Sequence, residues 1–168
     1  MTTTGTDLDI SPARVADVPL VLELIRELAE FERLLDQVVA TEEGLRTALF
    51  GEPRRAEVRI ARLAGEPVAF ALFFHSFSTF VGRAGLYLED LYVRPAFRGR
   101  GVGEALLRHL AQVALERGCG RFEWAVLDWN QRAIDFYRKL GAQPLLDWTT
   151  FRLEGAALAR LAGQPGGD

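Results

Sequence analysis

This sequence predicts a mixed α/β domain: a twisted sheet of about six or seven strands flanked by about four helices. Three observations carry that prediction. β-prone runs joined by a hairpin-type turn, Ala64-Gly65-Glu66-Pro67, occupy the first half of the chain. Apolar residues at helical spacing, such as Val21, Leu24, Ile25 and Leu28, precede them. From Leu86 onward, strand and helix signals alternate, as in sheets covered by helices.

In chain order, Leu8-Asp9-Ile10 reads as a first strand closed by Ser11-Pro12. Asp17 is a suitable N-cap for a helix running to about Glu32. Thr41 caps a second helix, Glu42 to Phe50, which Gly51-Glu52-Pro53 stops. Strands follow at Ala56 to Leu63 and Val68 to Phe77, the latter read as buried on both faces. Ser78 to Gly82 then connects to a central strand, Leu86 to Val93. Val102, Leu106, Leu110 and Val113 mark the main helix, ending near Gly118. Phe122 to Leu127 is the next strand, and Asn130 caps a helix from Gln131 to Leu140 with Gly141 at its C′ position. Gln143 to Leu153 is read as a final strand pair or one bent strand, and Ala156 to Leu161 as a short last helix.

Length and composition set the bounds. At 168 residues the chain has the size of one domain, residues 1–168, with frayed tails at 1–6 and 163–168. A net charge of −3 leaves no electrostatic footprint for nucleic acid. No apolar run is long enough to span a bilayer, and the Met1-Thr-Thr-Thr-Gly5 start lacks the features of a signal peptide, so no membrane partner is expected. A single cysteine, Cys119, excludes an internal disulfide and fits a cytoplasmic location. Neither His75 nor His109 has metal-ligand company, so no metal is expected. His109 lies on the apolar face of the main helix and reads as a hydrogen-bonded core residue. His75 ends a strand and qualifies as a base only by its titration range.

The most informative residues are Arg98-Gly99-Arg100-Gly101-Val102-Gly103, placed between strand and helix. The first turn of a helix presents N–H groups without intrahelical partners and a partial positive charge. Glycines let an anion approach closely and permit positive φ, while the two arginines add formal charge. The result is a phosphate cradle suited to a diphosphate. Glu104 stands where a Walker A loop needs Lys, and Gly-x-Gly-x-Gly is not the dinucleotide spacing Gly-x-Gly-x-x-Gly.

Arg-x-x-Gly-x-Gly after a strand resembles the GNAT acetyltransferases, whose motif binds the pyrophosphate of acetyl-CoA. A second stretch, Trp129-Asn130 through Phe136-Tyr137 to Gly141-Ala142, is similar to the other signature of that family. The resemblance implies acetyl-CoA as cosubstrate. It also implies coenzyme contacts from Leu91, Tyr92, Val93, Arg98, Gly99, Arg100, Gly101, Val102 and Gly103, with Asn130, Tyr137, Arg138 and Lys139 completing the set. By the same resemblance, the Tyr137 hydroxyl is a general acid for the departing thiolate. For Tyr137 a core aromatic remains the alternative, since Ala133, Ile134 and Leu140 share its helical face. Arg138 and Lys139 also suit a solvated helix C-terminus.

Glu89 and Asp90 sit inside an apolar strand, where successive side chains face opposite ways. One should face inward unless a bulge reorients both, and a buried carboxylate is costly unless paired. Leu24 to Glu32, Tyr87 to Asp90 and Trp129 to Ala142 look like the diamine (spermidine/spermine) N-acetyltransferase branch over about 150 residues. That likeness implies Glu89 as a water-assisted base, Asp90 as binder of a cationic amine, and Phe80 and Trp129 as further substrate contacts. Carboxylates paired structurally to an arginine are the alternative. Polyamine-acting members carry several acids after the Gly-Ala pair, whereas Gln143 to Thr150 holds only Asp147. A smaller amine or a thialysine-like amino acid is therefore equally compatible.

The function so implied is transfer of an acetyl group to a primary amine by direct attack in a ternary complex. Cys119 lies outside both motifs, which disfavours an acyl-cysteine route. Protein-lysine or N-terminal acetylation and a non-catalytic CoA-sensing module remain open, and a homodimer is implied by the resemblance alone.

Overall fold

The computed structural model describes residues 7–164. By internal contacts the chain divides into two compact units, Met1–Ala125 and Val126–Asp168. The tails at 1–6 and 165–168 lie outside the described residues.

The first unit is built on one five-stranded mixed sheet. Its strands are β1 (Leu8–Pro12), β2 (Glu57–Leu63), β3 (Glu66–Ser78), β4 (Arg83–Val93) and β5 (Phe122–Trp124), in that spatial order. β1 to β4 pair antiparallel, and β5 pairs parallel with β4. Its helices are α1 (Val18–Phe31), α2 (Glu42–Phe50) and α3 (Val102–Glu116).

The helices cover opposite faces because β2 alternates. Val58 and Ile60 join Val21, Leu24 and Leu28 of α1, Leu49 of α2, Phe70 and Tyr92 in one core. Arg59, pointing the other way, reaches His109 of α3. Phe70 and Phe73 are fully buried, and truncating either to alanine removes packing worth about 3–5 kcal/mol.

Local chemistry accounts for the junctions, with some departures from expectation. Ala64 and Gly65 both have positive φ, 50° and 83°, as a two-residue hairpin turn of type I′ requires, so β3 starts at Glu66 rather than Val68. Thr41 Oγ1 accepts from Gly44 N at 3.1 Å and caps α2. Asp17 does not cap α1 through its side chain. Its carboxylate accepts from Arg14 N at 2.7 Å and from Arg62 at 2.8 Å, closing the preceding 3-10 turn instead. β3 is buried on both faces only from Val68 to Ala71; beyond Phe73, His75 and Phe77 are exposed.

The second unit holds α4 (Gln131–Lys139) and α5 (Gly155–Leu161). Asn130 caps α4 by accepting from Ala133 N at 3.3 Å, and Gly141 follows it at φ 90°. Two strand expectations fail here. The strand expected from Phe122 to Leu127 stops at Trp124, and residues 143–154 form no strand. β-prone residues make a ladder only against a partner edge, and the described part of this unit has none. Leu145, Leu146, Trp148 and Phe151 are consequently exposed, Phe151 at 92%. The sheet is therefore smaller than the six or seven strands expected, while the five helices among the described residues, the short α5 included, lie where the sequence places them and accord with the about four expected.

Candidate active site

Two features of β4 organise the site, a bulge and an open edge. The register with β3 matches Leu72 to Asp90 and Phe73 to Leu88, so Glu89 is an extra residue without an opposite number. The bulge breaks the expected alternation. Glu89 is exposed, while Asp90 is half-buried two residues before Tyr92, a member of the core facing α1 and α2.

The pairing of β4 with β5 ends at Leu88 and Trp124, while β4 runs on to Val93. Leu91, Tyr92 and Val93 therefore have no strand neighbour on that side among the described residues. A strand edge left open this way offers main-chain donors and acceptors to an extended ligand.

Past Val93 the chain turns into the glycine loop. Gly99 and Gly101 adopt φ 75° and 80°, values that strain other residues, and a Cβ at either would meet open space. Gly103 has ordinary φ, and a Cβ there would make normal contacts of 3.6 Å with Val93 and 3.8 Å with Leu91. Gly101 is the N-cap of α3 and offers no side chain to cap it. From Gly99 to Glu104, no backbone N–H donates to a protein acceptor among the described residues. Such a row of amides around a helix start, with room in front of it, fits a phosphate or diphosphate.

The arginines behave differently from the simple expectation. Arg98 donates from Nε to Val93 O at 2.8 Å, and its guanidinium lies 4.5 Å from the Phe31 ring centre and 5.5 Å from that of Tyr92. It braces the loop against the end of α1. Arg100 is exposed and stacks on Phe97 at 5.4 Å. Arg94 joins α1 to the sheet, with Glu27, Glu23 and the Pro67 carbonyl as its acceptors.

The Asp90 carboxylate has no hydrogen-bond or ion-pair partner among the described residues. Burial, reinforced by the charges of Glu89 and Glu32, raises its pKa from 3.8 to about 6. Burial also raises the Glu32 carboxyl. The charges of Glu32 and Glu89 thus act on Asp90, and none of the three carboxylates forms an ion pair among the described residues. Glu32 was missed in the sequence because it lies 57 positions before Glu89 (89 − 32), at the end of α1. A signal for it existed: a carboxylate at a helix C-terminus opposes the dipole.

Other proposed residues fall elsewhere. Phe80 is wholly exposed in the β3–β4 turn, roughly 20 Å of strand from Glu89 at the usual rise per residue. The structure does not bring it to the carboxylates. His75 is exposed and lies 3.4 Å from Arg117 at the far end of α3. In the second unit, Tyr137 is half-buried with its ring 5.6 Å from that of Phe136. Asn130 Oδ1 serves as the α4 cap; Arg138 and Lys139 are exposed in its last turn, and Trp129 is exposed just before it. No group of three His, Cys, Asp or Glu side chains that could hold a metal occurs among the described residues. No helix among them is long and apolar enough to cross a membrane.

The sequence and fold both have close counterparts. The family model described as the Acetyltransferase (GNAT) family matches residues 22–142. A thialysine N-epsilon-acetyltransferase from Bos taurus is 45% identical over 92% of this chain and 97% of its own. A human spermidine/spermine N(1)-acetyltransferase-like protein is 32% identical over 91% of this chain and 23% of its own. Among solved structures, an integron cassette protein from V. cholerae superposes with a TM-score of 0.79 at 26% identity, over 94% of this chain and 99% of that one.

Proposed function

Because the chain belongs to the GNAT acetyltransferase family, we propose that it acetylates a small primary amine, of thialysine or diamine type, at the expense of acetyl-CoA. One observation carries this reading: a row of free amides opening α3 directly follows a strand that bears unpaired carboxylates. An anion-binding end and a cation-binding end thus share one element of the chain.

The coenzyme, when bound, supplies an activated acetyl thioester. The amides from Gly99 to Glu104 would hold its pyrophosphate, with Arg100 adding charge, and the open edge from Leu91 to Val93 would line its extended arm. Asn130 Nδ2, which makes no hydrogen bond among the described residues, would donate to that arm. Asp90 holds the acceptor as an ammonium in its ionised form, assisted by Glu32. Glu89, exposed at the bulge, takes a proton from the amine through water. With that first proton gone, the amine nitrogen would bond to the acetyl carbon as the carbon–sulfur bond breaks; Tyr137 would donate a proton to the leaving sulfur and regain one from the nitrogen through water. Direct attack needs both substrates at once.

The acceptor is favoured as a compact amine over a long polycation. Asp147 is the only acid between Gln143 and Thr150, and the bovine relative is named for thialysine. The family match runs from residue 22 to 142, across the boundary between the two compact units, which supports one catalytic domain. We also propose a homodimer, which the exposed apolar side chains of Phe77, Phe80 and Val81 in the first unit support. A lone free cysteine is consistent with a cytoplasmic site of action.

A thiol-release assay with acetyl-CoA against thialysine, lysine, putrescine, spermidine and amino-terminal peptides tests the reading. Thialysine or a diamine should give the highest kcat/KM. Coenzyme binding with no transfer to any acceptor would mark a sensing module and refute it. Tyr137→Phe should lower kcat about 100-fold with coenzyme affinity unchanged, as loss of a general acid does. Unchanged turnover removes Tyr137 from the chemistry.

A further inference from the structure

At the end of α3 remote from the glycine loop, three guanidiniums surround one carboxylate. Glu57 of β2 receives two hydrogen bonds from Arg117, Nη1 to Oε1 at 2.6 Å and Nη2 to Oε2 at 3.0 Å. Arg59 Nη1 lies 3.5 Å from the same Oε2. Arg54 completes the group. With Phe50, these side chains line a cleft of about 280 Å³.

The charges do not balance. Among the described residues lining the cleft, three cations face one anion, which leaves two positive charges unmatched (3 − 1). His109 cannot compensate, since its Nε2 accepts from Arg59 Nε at 3.3 Å and burial, with the Arg59 charge, lowers its pKa. His75 touches Arg117 from outside and is likewise no source of negative charge. Glu116 and Cys119 act on Arg117 at a distance but do not line the cleft. Arg59 is only 8% exposed, and its pKa is pulled below the usual value by burial, with Arg117 and Arg54 adding to the effect against Glu57. The partial negative charge at the end of α3 offsets only a fraction of the excess. Arg59 Nη2 makes no hydrogen bond among the described residues.

We propose that this cleft is a binding site for a small dianionic oxyanion, with inorganic phosphate as its simplest occupant. Guanidinium forks match the oxygens of such an ion in pairs, and two unmatched positive charges match its charge. The volume lies below the range of pockets that hold drug-sized ligands, so a coenzyme does not fit. The site is separate from the glycine loop, since the length of α3 puts roughly 24 Å between Gly101 and Arg117.

The test is a phosphate titration at constant ionic strength, read by thermal shift and calorimetry, with and without saturating CoA. Saturable stabilisation that persists with CoA present is expected. Arg54→Gln, which alters an exposed side chain, should weaken binding at least fivefold and leave turnover without phosphate unchanged. Arg117→Gln should abolish saturation, whereas Arg108→Gln, an exposed change elsewhere on α3, should have no effect. A nucleoside monophosphate run in parallel distinguishes the source. Equal affinity marks a free anion, tighter nucleotide binding a phosphate carried on a larger molecule, and either supports the site if Arg54→Gln weakens it. No saturable response in the wild-type protein, or equal responses in Arg54→Gln and Arg108→Gln, would overturn the proposal. Failure of CoA to bind would refute the acetyltransferase reading and leave this result standing.

Discussion

Asp90 and Arg59 are charges set into one sheet, and the protein treats them oppositely. Asp90 lies on the face covered by α1, with Glu32 and Glu89 as its charged company and no counter-ion among the described residues. Arg59 lies on the face covered by α3, with a carboxylate and a histidine acceptor in reach. Burial penalises both, yet only Arg59 has a partner that lowers the penalty. The contrast separates two uses of a buried charge. A partner within the chain makes it part of the framework, whereas its absence leaves the charge to be neutralised by something that arrives.

Breaking the framework side should give the largest effect. Glu57→Gln strips the carboxylate from Arg59 and Arg117 and should destabilise the protein by about 3 kcal/mol at pH 7, the lower end for a broken buried pair because Glu57 retains some water. Arg117 holds the Glu57 pKa down, so the wild-type contribution is present above the usual carboxylate range and is lost as pH falls through the lowered value. Chemical denaturation at pH 7 and at pH 3.5 should therefore show a smaller deficit at the lower pH.

The ligand side has the opposite sign. Asp90 titrates near 6 when folded and near 3.8 when unfolded, so its charge costs stability that is fully present below pH 4 and lost as pH rises through 6. Two pK units correspond to roughly 3 kcal/mol, which water access reduces to about 2. Asp90→Asn should thus be more stable than wild type by about 2 kcal/mol at pH 8 and nearly equal at pH 4. The same substitution should impair acceptor binding. In the wild-type enzyme the acceptor KM should rise about tenfold between pH 7 and pH 5 as Asp90 protonates, and this dependence should vanish in Asp90→Asn.

A finer comparison lies within the glycine loop. Gly103→Ala meets only ordinary contacts, so the melting temperature should stay within a degree or two while CoA affinity falls. Gly101→Ala must hold alanine at φ 80° and should lose stability as well, by about 1 kcal/mol. Equal stability losses in both variants would show that Gly103 serves the fold instead of the ligand.

What the sequence disclosed follows the range of the forces involved. The glycine loop was legible because a positive φ and a helix start are set by a few adjacent residues. The α2 cap at Thr41 and the stop at Gly141 were legible for the same reason. The bulge at Glu89 was not, because it exists only in the register with Leu72 and Phe73, far back in the chain. Glu57 and Arg117 are 60 positions apart, and their pairing depends on how β2 and α3 pack. Residues 143–154 show the limit from the other side: their β-prone composition invited strands, but no edge in the described part of their unit accepts them. Arg98 was read as a charge at the rim of the loop, and its bond to Val93 O and stacking on Phe31 could not be read from spacing.

The open edge of β4 has a consequence for how such an enzyme can change. Groups on the main chain are identical whatever side chain they carry, so substitutions at Leu91, Tyr92 or Val93 alter the packing and leave the edge's chemical offer intact, proline excepted. Asp90 and Glu32, by contrast, act through atoms that a single codon can remove. On the proposed reading, the donor half of the site would thereby be insulated from point variation while the acceptor half stays free to drift, so that new amines could be tried without relearning the coenzyme.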